Sequence, residues 1–92
     1  MDILTELKKH ESEIKKRFGV KKIGLFGSRV RGEQKKTSDI DILVEFEEPT
    51  FDHFMDLSFF LEDLFENTVD LITTNSISPY IAPTIRKEVI WI

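Results

Sequence analysis

The sequence contains no cysteine, so neither a disulfide nor a thiolate metal site can contribute to its stability. That composition fits a reducing compartment. Glycine and proline are scarce, at four and three residues in 92, which excludes collagen-like and Pro/Gly-rich disordered chains. No apolar run approaches the ~20 residues of a membrane span. The opening MDILTELKKH also lacks the apolar core of a signal peptide. A cytoplasmic address with no membrane attachment is the expectation.

What is present describes an ordinary globular chain. Hydrophobic residues make up 40 % and charged residues 33 %, enough apolar material for a core and too much for disorder. The length suits one small domain spanning residues 1–92, which would bury roughly 60–65 % of its unfolded surface. The charge is unevenly placed. Residues 1–38 carry eleven Lys/Arg against five Asp/Glu, whereas residues 39–92 carry two against twelve. These charges either form solvated helix faces or set a cationic wall for a polyphosphate opposite carboxylates that hold its metal. The net charge of −4 argues against non-specific nucleic-acid binding, which depends on many phosphate contacts.

Hydrophobic periodicity orders the chain. Ile3, Leu7, Ile14 and Phe18 share one stripe of a helix predicted over 2–18, with Gly19 placed for a left-handed cap. A short strand follows in VKKIGLFGS, breaking at Gly27, and SRVRGEQKK can start only a short helix. SDIDILVEFEE alternates: Asp39, Asp41, Leu43 and Glu45 on one face, Ile40, Ile42, Val44 and Phe46 on the other. A second long helix covers 51–67, with Phe51, Phe54, Leu57, Leu61, Leu64 and Phe65 as its core stripe and Asn67 closing it. TVDLITT is a third strand, rich in β-branched residues. In the tail, Pro79 fits a helix's first turn, Pro83 would interrupt that helix, and VIWI is a closing strand or a docked end. The order predicts an α/β (α+β) domain, a small mixed sheet flanked by helices.

Chemistry concentrates in GSRVRGEQKKTSDIDILVEF. Gly27 and Ser28 stand where a strand gives way to a helix start, which can cradle a phosphate, although such a pair is often only a turn. Asp39 and Asp41 project from one strand face, where they repel unless a hard cation such as Mg²⁺ lies between them. Two carboxylates at the start of a strand built into a core bring no structural gain. Asp70 is a lone acid in an apolar strand. If that strand pairs beside the first, three carboxylates converge and can hold two metal ions.

The spacing Gly27-Ser28, ten residues, Asp39-x-Asp41 resembles the signature of the DNA polymerase beta-like nucleotidyltransferase superfamily. The flanking GSRVRG and TSDIDILVEF are similar to its minimal nucleotidyltransferase branch. The resemblance implies a palm-like core and transfer of a nucleoside monophosphate from an NTP to a hydroxyl. In that scheme Asp39, Asp41 and Asp70 bind two Mg²⁺ ions, and Asp70 helps deprotonate the acceptor. Gly27 and Ser28 would hold the β- and γ-phosphates, with Arg29 and Arg31 at the triphosphate or the acceptor. The branch also implies a HEPN-domain toxin as partner, with AMP from ATP placed on its tyrosine. Two other classes stand beside this one: an antitoxin that acts by docking alone, and an NTP sensor. Docking has its own signal, because Met55 and Phe59 fall off the core stripe of the second helix, near Glu62 and Glu66.

Overall fold

The structure, a computed structural model, describes residues 3–27 and 40–92. The first helical stretch, predicted as one piece, is two: α1 (Ile3–Lys9) and α2 (Glu11–Phe18). They meet at His10, whose N–H still reaches the carbonyls of Glu6 and Leu7 at 3.3 and 3.2 Å. At this break His10 turns its ring edge onto Phe60, centroids 5.9 Å apart, a tertiary contact that periodicity does not reveal. The stripe itself holds, with Ile3, Leu7, Ile14 and Phe18 all buried. Gly19 caps α2 in the left-handed region (φ 64°), its N–H bonded to the Lys15 carbonyl, as the sequence predicts.

The chain continues through β1 (Val20–Phe26), β2 (Ile40–Phe46), α3 (Phe51–Phe65) and β3 (Val69–Thr73). A single 3₁₀ turn (Thr74–Ser76), α4 (Ala82–Glu88) and β4 (Ile90–Trp91) complete it. The sheet order is β3-β2-β1-β4. β1 runs antiparallel to β2 and β4, while β2 and β3 are parallel. This is the mixed sheet flanked by helices that the element order implies. The short helix expected after Gly27 lies outside the described residues.

Strand alternation gives the sheet two different faces. Ile40, Ile42, Val44 and Phe46 join Ile23, Leu25, Val69 and Leu71 in the main core, under α1, α2 and α3. Thr50 caps α3, its Oγ1 accepting the His53 N–H at 3.1 Å. Leu57, Leu61 and Phe65 are buried, with Phe54 and Leu64 packed against them. Phe51, expected on this stripe, is instead 77 % exposed. It is the first residue of α3, and helical side chains lean toward the N-terminus, so its ring overshoots the core. Phe60 replaces it from off the stripe, 5.3 Å from Phe18 between centroids. α3 ends at Phe65, earlier than predicted, because Glu66 turns left-handed (φ 52°).

The opposite face is where the tail acts. Leu43, predicted among polar neighbours, is buried with Phe26 and Ile85, the buried residue of α4. Pro83 lies in the first turn of α4, so it starts the helix instead of interrupting it: a first-turn N–H has no intrahelical acceptor to lose. Pro79 precedes the helix. VIWI resolves as the closing strand, Trp91 and Ile90 pairing with Gly24 and Leu25.

Candidate active site

The parallel pairing of β2 and β3 fixes the site. Its register sets Ile40 beside Val69 and Asp41 beside Asp70. Ile40, Val69 and Leu71 belong to the main core. By alternation Asp41 and Asp70 therefore point to the other face, the one that carries Leu43 and Ile72. Asp41 is half-buried and Asp70 exposed. The register places Asp41 and Asp70 side by side, while Asp39, the third acid expected to converge with them, lies outside the described residues.

β1 supplies the third member. Phe26 pairs with Asp41, so Gly27 follows at the end of β1 directly beside that carboxylate. Gly27 has φ 83°, and a Cβ there would collide with the Asp41 carboxylate. Sequence reasoning valued this glycine for close approach to a phosphate. The geometry adds two further demands: a left-handed backbone, and room for the Asp41 side chain.

Neighbouring strands lie about 4.8 Å apart, so Asp41 and Asp70 place their carboxylates side by side on one face of the sheet. Two neighbouring carboxylates form an oxygen-only donor set, which suits a hard ion such as Mg²⁺. The residues present thus fit a divalent ion. Among the described residues no group of three or more His, Cys, Asp or Glu is gathered for a metal. Asp39, the third expected ligand, lies outside them, as do Ser28, Arg29 and Arg31.

The cationic wall is not built by the N-terminal helices. Lys9, Lys15 and Arg17 pair with Glu6, Glu11 and Glu13 on their own helices, at 3.4, 2.7 and 3.4 Å. Moreover α1 and α2 cover the sheet face opposite Asp41 and Asp70. Their charges are solvated helix pairs, which the i,i+3 and i,i+4 spacing already favoured. Further along the face that carries Asp41 and Asp70, a cavity of about 400 Å³ opens beside α4, walled by Lys22, Glu45, Arg86 and Trp91. The Lys22 ammonium stands 5.7 Å from the centroid of the Trp91 ring. These residues are far apart in sequence and share no motif, so only the fold brings them together.

The family model of the nucleotidyltransferase domain matches residues 7–92. A Thermococcus cleftensis chain, "Protein adenylyltransferase MntA", is 46 % identical over 92 residues, covering 99 % of this chain and 93 % of that one. A solved structure described as a minimal nucleotidyltransferase superposes with a TM-score of 0.81 at 32 % identity, covering 98 % of this chain and 95 % of the other. A solved complex of a tri-AMPylated HEPN toxin with its MNT antitoxin, from Shewanella oneidensis, shares the fold. Its TM-score is 0.67 at 22 % identity, covering 99 % of this chain and 71 % of that one.

Proposed function

The chain belongs to the nucleotidyltransferase domain family, and from that premise we propose that it transfers AMP from ATP to a hydroxyl of a partner protein. The observation that carries this reading is the register that sets Asp41 beside Asp70, with Gly27 against Asp41. The adenylyltransferase name of the Thermococcus relative supports AMP as the group and protein as the acceptor. The Shewanella complex supports a HEPN-domain toxin as that protein, and an antitoxin role for the enzyme. Tyrosine is the acceptor side chain we assign. Its phenol, with a pKa near 10, gives up its proton far more readily than an alcohol.

Each residue then has a task. Gly27 and Ser28 take the β- and γ-phosphates, and Arg29 and Arg31 neutralise the triphosphate or orient the acceptor. Asp39, Asp41 and Asp70 would hold two Mg²⁺ ions. When bound, the metal neutralises charge on the transferring phosphate and makes the acceptor oxygen more acidic. The acceptor oxygen forms its bond to the α-phosphorus while the bond to the bridging oxygen of the β-phosphate breaks. Pyrophosphate leaves, and a carboxylate oxygen of Asp70 takes the phenolic proton. Residues 1–92 serve as one domain in this reading, without a nucleic-acid substrate. The cytoplasm is its setting, and no helix among the described residues is long and apolar enough to cross a membrane.

The test is direct. The full chain is mixed with Mg-ATP and the HEPN-domain protein of its own genome, and the partner's intact mass is measured. A gain of one or more AMP units with the wild type, and none with Asp41→Asn, is the expected result. Unmodified partner alongside intact ATP binding would replace the enzyme by a nucleotide sensor.

A further inference from the structure

The outer face of α3 combines exposed aromatic surface with unpaired negative charge. Phe59 is 57 % exposed and Phe51 77 %, with half-buried Met55 one turn from each. On the wheel Phe59 lies opposite the buried stripe of Leu57 and Leu61, and Asp52, Asp56 and Asp63 surround it. None of these three aspartates has an ion-pair partner among the described residues. α3 contains no lysine or arginine at all. Between α2 and α3 this surface continues into a groove of about 580 Å³, with Phe18, Phe59 and Phe60 beside Asp56 and Asp63. The groove's own cation, Arg17, is already engaged by Glu13 and by the faces of Phe18 and Phe60.

We propose that the outer face of α3 is a docking surface for a protein that presents lysine or arginine side chains around an apolar socket for Phe59. An aromatic anchor ringed by carboxylates is complementary to that chemistry. A second copy of α3 is disfavoured, since pairing would set two uncompensated acidic rings face to face. The basic helices of a second copy fit poorly as well, because most of their cations are already paired in place.

The placement has a consequence for mechanism. α3 covers one face of the sheet, and Asp41 and Asp70 open on the other. A subunit held by Phe59 therefore lies across the sheet from the site that transfers AMP. Docking and modification engage separate surfaces, and the docked subunit leaves the active site open to a further acceptor. This rests on the reading that the acceptor is a protein, and the HEPN-domain toxin is the partner committed to here.

The experiment measures two quantities on one set of full-length variants with the HEPN-domain protein: affinity by titration calorimetry, and AMP incorporation by mass. Affinity is measured in the Asp41→Asn background, so that the partner stays unmodified. Phe59→Asp is expected to weaken binding by about 100-fold or more. The Asp56→Lys/Asp63→Lys pair should weaken it about tenfold and flatten its salt dependence. With Asp41 intact, both variants should transfer AMP at the wild-type kcat, because the docking surface lies across the sheet from Asp41 and Asp70. Binding within twofold of wild type by a natively folded Phe59→Asp protein would overturn the proposal. If Phe59→Asp does not fold, the double lysine variant decides by the same criterion. Absent AMP incorporation by the wild type overturns the transferase reading instead, and the affinities alone then judge the surface.

Discussion

Gly27 shows how much one residue can answer to. The G-S-x₁₀-D-x-D spacing marks it, yet the strongest reason for glycine at this position is Asp41, whose carboxylate occupies the space a Cβ would take. Gly27→Ala is expected to cost about 1–3 kcal/mol through its left-handed backbone alone, and to displace Asp41 as well. Transfer should fall far more than stability, as urea melts and an AMP-transfer assay on the same sample would reveal. A variant retaining wild-type turnover would detach Gly27 from the site. Asp70 offers the complementary case. It faces Asp41 across the parallel pair, so Asp70→Asn removes a like-charge opposition. Without metal, stability should stay level or rise by up to about 1 kcal/mol. With Mg²⁺ at ten times its dissociation constant the wild type gains about 1.4 kcal/mol and the variant less. Thermal melts with and without Mg²⁺ check both signs. These acids were legible because carboxylates in apolar strands need a reason; Leu43 was not, because nothing local to β2 says what covers it.

At the scale of elements, legibility followed the strength of the local signal. The stripes of α1, α2 and α3 and the alternation of β2 are read directly from spacing, whereas the register of Asp41 with Asp70 is set by how β2 and β3 pair and is seen only in the fold. At the break His10 meets Phe60, a residue fifty positions away, a contact that leaves no trace in the spacing of the first helix. Pro83 is ambiguous in sequence because the same residue that would end one helix begins another. That helix hangs on little. Ile85 is the buried residue of α4, closing Leu43 and Phe26 from water. Ile85→Ala is expected to cost about 2–5 kcal/mol, with part of the loss appearing as local release of α4. Hydrogen exchange should then show lost protection across 82–88 while the amides of α3 keep theirs. Uniform loss across both helices would mean that α4 is tied to the main core by contacts other than this one.

The whole molecule is a sheet with two occupations. One face is sealed by α1, α2 and α3; the other carries α4 along part of its length and the carboxylates beside it. Charge follows the same division: α3 adds unpaired acid to the outside of the sealed layer, while the N-terminal helices neutralise much of their own. Because the two surfaces are separated by the sheet and a helical layer, changes to them should act independently. Asp41→Asn is expected to leave the partner complex within twofold of wild-type affinity while abolishing transfer. Phe59→Asp should do the reverse, and the double variant should show both losses without extra coupling. The decisive readout is growth of cells that express the HEPN-domain partner together with each variant. If transfer carries the biological effect, Asp41→Asn fails to restore growth although the complex persists, and Phe59→Asp restores it although the complex is lost. Full protection by Asp41→Asn would assign the effect to binding alone. The first outcome is the expected one, since docking through α3 makes no demand for carboxylates paired across parallel strands on the far side of the sheet.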